Sequence, residues 1–187
     1  MQNEITEELY DVYDIDGNPT GQVLPKSEIH KNALLHRTVH IYIANSKKEI
    51  LLQKRAATKV QEPGMWTCHG GHISAGETPL TAVCRETKEE IGLDIKPEEL
   101  VLLKTYHKCT AFLDGAFTEN EITDLYILIK DVDVDALVVQ TDEVQAVHFF
   151  SLDAIAQKTA FDGSPIFQKS EEFPEVLEFL SRQTMLK

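Results

Sequence analysis

The segment from Gly70 to Leu93 constrains this chain most, because it joins a glycine-rich loop to a helix whose two ends are both marked. Thr78 is a favourable N-cap, and Pro79 suits the first helical position because its missing N–H has no partner there. Gly92 is typical of the residue that ends a helix. The sequence therefore predicts a loop that lets backbone approach a ligand, followed by a short capped helix.

This helix carries two different faces. Each residue advances about 100° around a helix, so Glu86, Glu89 and Glu90 share one face, and the other face holds Leu80, Val83, Cys84, Thr87 and Ile91. Neighbouring carboxylates raise each other's pKa, and a hard cation such as Mg²⁺ relieves that repulsion. Taken alone, such glutamates are more simply a solvated helix face, but a solvated face does not need a double-glycine entry. We therefore predict a divalent metal site.

The charge balance limits the kinds of partner. The chain has 187 residues with 18 Lys and Arg against 31 Asp and Glu, a formal net charge of −13. This charge repels polyanions and argues against a polymeric nucleic acid, whereas divalent cations would still let a small phosphorylated substrate approach the carboxylates.

The cysteines and the apolar runs suggest a cellular location. Cys68, Cys84 and Cys109 are an odd number without C-x-x-C spacing, which favours free thiols in a reducing compartment. We find no secretory signal and no apolar run of membrane-spanning length, so we expect a cytoplasmic protein without a membrane partner.

The rest of the pattern predicts one α/β domain over residues 1–187. The alternation of apolar and polar residues predicts an N-terminal strand at 8–15, a hairpin of 39–44 with 50–55, and strands at 100–109, 122–130 and 144–150. Helices are predicted at 151–158 and 170–182. The second of these carries an apolar stripe that fits either core packing or the face of a homodimer: Phe173, Val176, Leu177 and Leu180.

Residues 71–93 resemble the complete Nudix box. Gly71, Glu77 and the run from Arg85 to Leu93 have its spacing, and Thr87 departs from it by replacing an aliphatic residue, which affects packing rather than metal ligation. The resemblance implies a Nudix fold, a mixed β-sheet sandwiched between α-helices. It also implies an enzyme that uses Mg²⁺ or Mn²⁺ to hydrolyse a nucleoside-type or other small organic diphosphate.

The same resemblance assigns roles to the box residues. Glu86, Glu89 and Glu90 would bind metal or activate water, and Arg85 would orient them through charge-assisted hydrogen bonds. Glu77 would act structurally or at a second metal. The general base is left open among three glutamates: Glu89, Glu90 and Glu121.

Beyond the box, residues 11–150 are similar to the branch that includes isopentenyl-diphosphate isomerase. The segments that carry this similarity are 36–40, 51–59, 63–67 and 119–121. It implies substrate contacts from Arg55, Lys59 and, less closely, Lys26, beside the backbone of Gly70 and Gly71. It also implies a second metal site made of His36, His72, Glu119 and Glu121. His30 is left out, because it precedes His36 by six residues where the isomerase pattern has seven.

Two features favour hydrolysis over isomerisation. The position that matches the catalytic cysteine of the isomerase is Gly70, and Cys68 lies two residues earlier. The box also keeps all of its glutamates, which the isomerase does not. We therefore predict a hydrolase first, an isopentenyl-diphosphate isomerase second, and a non-catalytic nucleotide-binding Nudix domain third.

Overall fold

The computed structural model describes residues 7–59, 61–112, 117–167 and 171–183. The strands are β1 (Leu9–Tyr13), β2 (Pro19–Pro25), β3 (His36–Ala44), β4 (Ile50–Arg55), β5 (Trp66–Thr67), β6 (His69–His72), β7 (Val101–Phe112), β8 (Phe117–Ile129) and β9 (Val144–Phe150). The α-helices are α1 (Lys26–Lys31), α2 (Pro79–Ile91), α3 (Leu152–Gln157) and α4 (Phe173–Arg182). Short 3-10 turns lie at Pro97–Glu99 and Val134–Ala136.

β3 is the strand around which the main sheet is organised. It pairs in parallel with β8 along its whole length and antiparallel with β6 and β4, and the full order is β5-β4-β3-β8-β7, with β9 on β4 and β6 on β3. The parallel register places His36 opposite Glu121, and the β6 register places His72 opposite Thr38. Residues far apart in sequence thus meet at one end of the sheet.

Both faces of the sheet are covered, because side chains alternate along β3. Val39, Ile41 and Ile43 are buried with α2 on one side, whereas Tyr42 and Ala44 are buried with α3 and α4 on the other. This is a mixed sheet between helices, and the predicted α/β sandwich is confirmed.

Helix α2 begins and ends where the sequence predicts. The Thr78 side chain accepts a hydrogen bond from the Thr81 amide at 3.2 Å, and Gly92 ends the helix in the left-handed conformation, where glycine is unstrained. Thr87 is the one residue that departs from the sequence pattern of the box. Its buried hydroxyl donates a hydrogen bond to the Val83 carbonyl at 2.7 Å, so it is not left without a partner. The face assignment was wrong for Leu80, which is 40% exposed, and for Glu90, which is buried.

Other boundaries differ from the predictions in ways that hydrogen bonds explain. The N-terminal strand is shorter than 8–15, because the Asp14 carboxylate accepts from the amides of Asp16 and Asn18 and forms a turn. Strands β7 and β8 are longer than predicted because they form one long hairpin. The alternation did not predict β2, α1, β5 or β6.

The two C-terminal helices are present in shorter form. Ser151 caps α3 by accepting from the Ala154 amide, and α4 begins at Phe173, while residue 170 of its predicted range lies outside the described residues. Phe173, Val176 and Leu180 pack in the core, and Leu177 is 37% exposed, so this stripe serves mainly as core. Homodimer formation stays a prediction. Among the helices of the described ranges, none combines the length and apolarity required to cross a membrane.

Candidate active site

The predicted site residues surround one cleft of about 610 Å³. Its wall is formed by the loop between β5 and α2, the ends of β3, β4 and β8, and one face of α2. The predicted residues that line it are Lys26, Arg55, Lys59, Gly70, Gly71, His72, Arg85, Glu86, Glu90, Glu119 and Glu121. Glu77, Glu89 and His36 are not among the described residues that line it, although each contacts one that does.

Arg85 joins the box glutamates into one network. Its Nε and Nη2 donate to the two carboxylate oxygens of Glu77 at 3.0 and 2.9 Å, and its Nη1 donates to Glu86 at 2.8 Å and to Glu89 at 3.0 Å. Nη2 also donates to the His72 carbonyl at 3.0 Å, which ties α2 to β6. These contacts are the ones expected of an orienting residue. Because one guanidinium faces three carboxylates, the network retains excess negative charge.

Glu86 lies against the backbone of Gly71. A Cβ built on Gly71 would lie 2.4 Å from the Glu86 carboxyl carbon and 2.5 Å from each of its oxygens, so only glycine leaves room for this carboxylate. Burial, together with the nearby charges of Glu90 and Glu89, raises the pKa of Glu86 to about 7 against the opposing effect of Arg85. A divalent cation would offset this desolvated charge.

Glu90 is held by donors from two strands, β4 and β6. Its two oxygens accept from the Gln53 side chain at 2.8 Å and from the Gly70 amide at 3.2 Å, and the His69 imidazole Nδ1 lies 3.5 Å away. Glu90 and His69 are both buried. Glu89 differs, because its side chain is 52% exposed and reaches the network only through Arg85. The three box glutamates therefore have three different environments.

Three histidines form a second cluster beside the box. The ligand nitrogens of His30, His36 and His72 lie within 4.8 Å of one another, and the three Nε2 atoms are buried with no hydrogen-bond partner in the described structure. Glu121 Oε1 lies 3.6 Å from His36 Nε2 and 3.9 Å from His72 Nε2. The structure brings His30, which the prediction left out, to this pair, because α1 turns its side chain towards them. Its six-residue spacing in the chain does not measure distance across a helix and a loop.

The Glu121 carboxylate is suited to a cation site. Burial favours its protonated form, but the contact with His36 outweighs burial and lowers the pKa of Glu121. Burial also lowers the pKa of His72 well below its usual range, which keeps that imidazole neutral and able to bind metal. Glu119 is two residues earlier on β8 and lines the same cleft. Unpartnered nitrogens and an ionised carboxylate fit a divalent ion.

The predicted substrate-binding cations have protein partners. Arg55 Nε donates to the Gln61 carbonyl at 3.0 Å, Lys59 lies 2.9 Å from the Glu143 carboxylate, and Lys26 lies 3.4 Å from Glu8. All three line the cleft. The ion pairs of Lys59 and Lys26 are partly exposed, so each contributes little to stability.

Several cleft residues were missed by the sequence analysis. Gln53, His69, His40, Tyr106 and Glu172 all belong to the site or to its wall. Gln53 lies within the segment 51–59 that carries the isomerase similarity, and that similarity was the only available signal. Cys68 also lines the cleft, but it is 4% exposed and hydrogen-bonds Glu172 at 3.8 Å.

The comparisons with known proteins agree with this geometry. The NUDIX domain family model matches residues 34–169. The chain is 36% identical over 154 residues to the isopentenyl-diphosphate Delta-isomerase of Pectobacterium atrosepticum, covering 80% of this chain and 81% of that protein. It is 33% identical over 149 residues to Nudix hydrolase 3 of Arabidopsis thaliana, covering 78% of this chain but only 19% of that longer protein.

A crystal structure from Deinococcus radiodurans shows the same fold. It matches with a TM-score of 0.61 at 17% identity and covers 94% of this chain and 98% of that one. The family match includes the box helix, the central sheet, and His36, His72 and Glu121 of the histidine cluster, and it begins after His30. The chain therefore belongs to the Nudix hydrolase family.

Proposed function

We propose that this protein hydrolyses a diphosphate linkage in a small nucleoside-type substrate, with Mg²⁺ or Mn²⁺ as the cofactor. One observation carries the proposal: Arg85 holds Glu77, Glu86 and Glu89 in one network at the cleft, while Gln53 and Gly70 fix Glu90 beside it. A box that only binds nucleotide has no need to keep and orient every carboxylate.

The residues fit hard divalent ions. Glu86, Glu89 and Glu90 supply oxygen ligands, which Mg²⁺ and Mn²⁺ prefer, and the half-buried Glu86 lacks a full counter-charge. When bound, the ions supply an activated water and neutralise charge on the phosphoryl oxygens. Gln53 and Arg85 hold the carboxylates in position, so that little reorganisation is needed when the substrate enters.

The cations on the opposite part of the cleft define the substrate class. Arg55 and Lys59 would exchange their contacts with Gln61 and Glu143 for the diphosphate. The guanidinium has further N–H donors for paired phosphate oxygens. A cleft of this volume holds a small molecule, and the net charge of −13 disfavours a polymeric nucleic acid.

The histidine cluster favours isopentenyl-diphosphate isomerase as the second candidate. We propose that His30, His36 and His72, with Glu121 and Glu119, form a second metal site like that of the isomerase branch. Against isomerisation, Gly70 stands where the isomerase has its cysteine, and the Cys68 thiol points to Glu172 instead.

The test is a substrate panel with matched variants. Wild-type protein is incubated with nucleoside di- and triphosphates, nucleotide sugars, dinucleoside polyphosphates and isopentenyl diphosphate, in Mg²⁺, Mn²⁺ or EDTA, and phosphate and allylic product are measured. We expect metal-dependent phosphate or monophosphate release, a loss of at least about 100-fold in Glu90→Gln, and no change in Glu98→Gln, an exposed glutamate outside the cleft. Allylic isomer without hydrolysis would select the second candidate, and binding without turnover would leave a nucleotide-binding domain.

A further inference from the structure

A third group of metal-ligating side chains, apart from the box carboxylates and the histidine cluster, lies on another wall of the same cleft. His40 comes from β3, Cys68 from the link between β5 and β6, and Glu172 from the residue before α4, and their ligand atoms all lie within 4.8 Å of one another. His40 and Cys68 line the cleft. Cys68 lies in the core on the α4 side of the sheet, whereas the box helix packs on the other side. The group of His40, Cys68 and Glu172 is therefore separate from the box carboxylates.

The three side chains already converge on one point. His40 Nδ1 lies 2.7 Å from Glu172 Oε1, and Cys68 Sγ lies 3.8 Å from Glu172 Oε2. Donors that share one tetrahedral ion at bond lengths near 2.0–2.3 Å lie roughly 3–4 Å apart. The Cys68–Glu172 distance already falls in this range, and the His40–Glu172 pair has to separate by about 1 Å. That movement is within the reach of side-chain rotation.

The cluster includes a buried carboxylate, that of Glu172, which is surrounded by groups that carry hydrogen-bonding protons. Glu172 is 1% exposed, and its oxygens contact His40, Cys68 and the Tyr106 hydroxyl. A bound cation would replace the thiol proton and the hydrogen bond between His40 and Glu172, and would leave the carboxylate neutralised by metal. The Tyr106 hydroxyl, which also lies 3.3 Å from His40 Nδ1, would keep its hydrogen bond to the Glu172 carboxylate.

The chemistry of this donor set differs from that of the box. Thiolate and imidazole select borderline ions such as Zn²⁺, whereas carboxylates alone favour Mg²⁺ or Mn²⁺. Three protein ligands leave the fourth position of a tetrahedral ion open, and two of them, His40 and Cys68, line the cleft. We propose that His40, Cys68 and Glu172 bind one thiophilic divalent cation of the Zn²⁺ class, whose open position faces the substrate cleft.

The test uses Co²⁺ as a spectroscopic probe, because only a thiolate ligand gives an intense near-ultraviolet charge-transfer band. Full-length protein in a non-thiol reductant, with excess Mg²⁺ on the carboxylates, is titrated with Co²⁺ and then with Zn²⁺. We expect a band that saturates at one Co²⁺ per chain and disappears as Zn²⁺ replaces it. Binding to the histidine cluster around His36 gives no such band, since that cluster contains no cysteine. A wild-type protein without the band would overturn the proposal.

Matched variants assign the ligands. Cys68→Ser should abolish the band, and His40→Ala and Glu172→Gln should weaken Co²⁺ affinity at least about tenfold. The control variant Cys84→Ser should keep the wild-type band and the wild-type Co²⁺ affinity. Circular dichroism and thermal unfolding verify that each variant folds. Because the His40 side chain is partly exposed, His40→Ala remains informative if Cys68→Ser does not fold. A band that survives in Cys68→Ser, or moves with Cys84→Ser, would refute the assignment. The readout is independent of hydrolysis, so failure here leaves the proposed function untouched.

Discussion

Adding one methyl group at Gly71 should disable the enzyme without unfolding it. Contacts between carbon atoms need about 3.5 Å, and the new Cβ would lie 2.4 Å from the Glu86 carboxyl carbon, so this carboxylate has to retreat by about 1 Å. A displacement of about 1 Å in a catalytic constellation can lower the rate about 100-fold, or about 2.7 kcal/mol of transition-state stabilisation. Because the displaced atoms end a flexible side chain, the free energy of unfolding should change by less than about 1 kcal/mol.

The assay compares kcat and thermal unfolding in Gly71→Ala and in Gly163→Ala. Gly163 has φ +78° and open space around its Cβ position, and it does not line the cleft, so its alanine variant should lose about 1 kcal/mol of stability, or about 2–4 °C in Tm, and keep its activity. Glu86→Asp withdraws the carboxylate by one methylene. It should therefore lower kcat less when it is added to Gly71→Ala than when it is made in the wild type. Activity within twofold of wild type in Gly71→Ala would refute the view that Glu86 must lie against residue 71.

Three further predictions follow from burial and charge. Because the folded pKa of Glu86 is raised to about 7, the metal-free protein should lose stability as pH rises from about 4.5 to 7. At pH 8, urea unfolding should show Glu86→Gln to be more stable than the wild type by on the order of 2 kcal/mol. A wild-type stability that does not change with pH would contradict this. Gln53→Ala should lower activity about 10–100-fold and raise the Mg²⁺ requirement, since Glu90 loses its 2.8 Å donor; an unchanged Mg²⁺ titration would count against it. Leu180→Ala should destabilise by about 2–5 kcal/mol and Leu177→Ala by less than about 1; a change of oligomeric state in Leu177→Ala alone would instead indicate a dimer face.

The features that could be predicted from the sequence are those set by local geometry. The bounds of α2 depend on Thr78, Pro79 and Gly92, each of which acts on its own backbone or on the next turn. The strands that flank the sheet centre were predicted from alternation, with end errors wherever a side chain such as Asp14 starts a turn.

Features that depend on packing between distant segments were not predictable in this way. Glu90 is buried because β4 brings Gln53 to it, and helical spacing alone places it on an exposed face. His30 joins His36 because a turn after α1, in which the Leu34 amide donates to the Ile29 carbonyl, folds the chain back, so a count of intervening residues fails. The group of His40, Cys68 and Glu172 spans 132 positions and has no pattern in the chain.

The parallel pairing of β3 with β8 also determines when, during synthesis, the proposed histidine site can first become complete. His36 and Glu121 are register partners separated by 85 positions, with the whole box helix between them. Such long-range parallel contacts form slowly, after the local helices and hairpins. A nascent chain can therefore complete α2 and its arginine network while the histidine cluster still lacks its carboxylate. Metal capture by the histidines would then report that the central sheet has closed in the correct register, since a slip of one residue turns Glu121 to the opposite face.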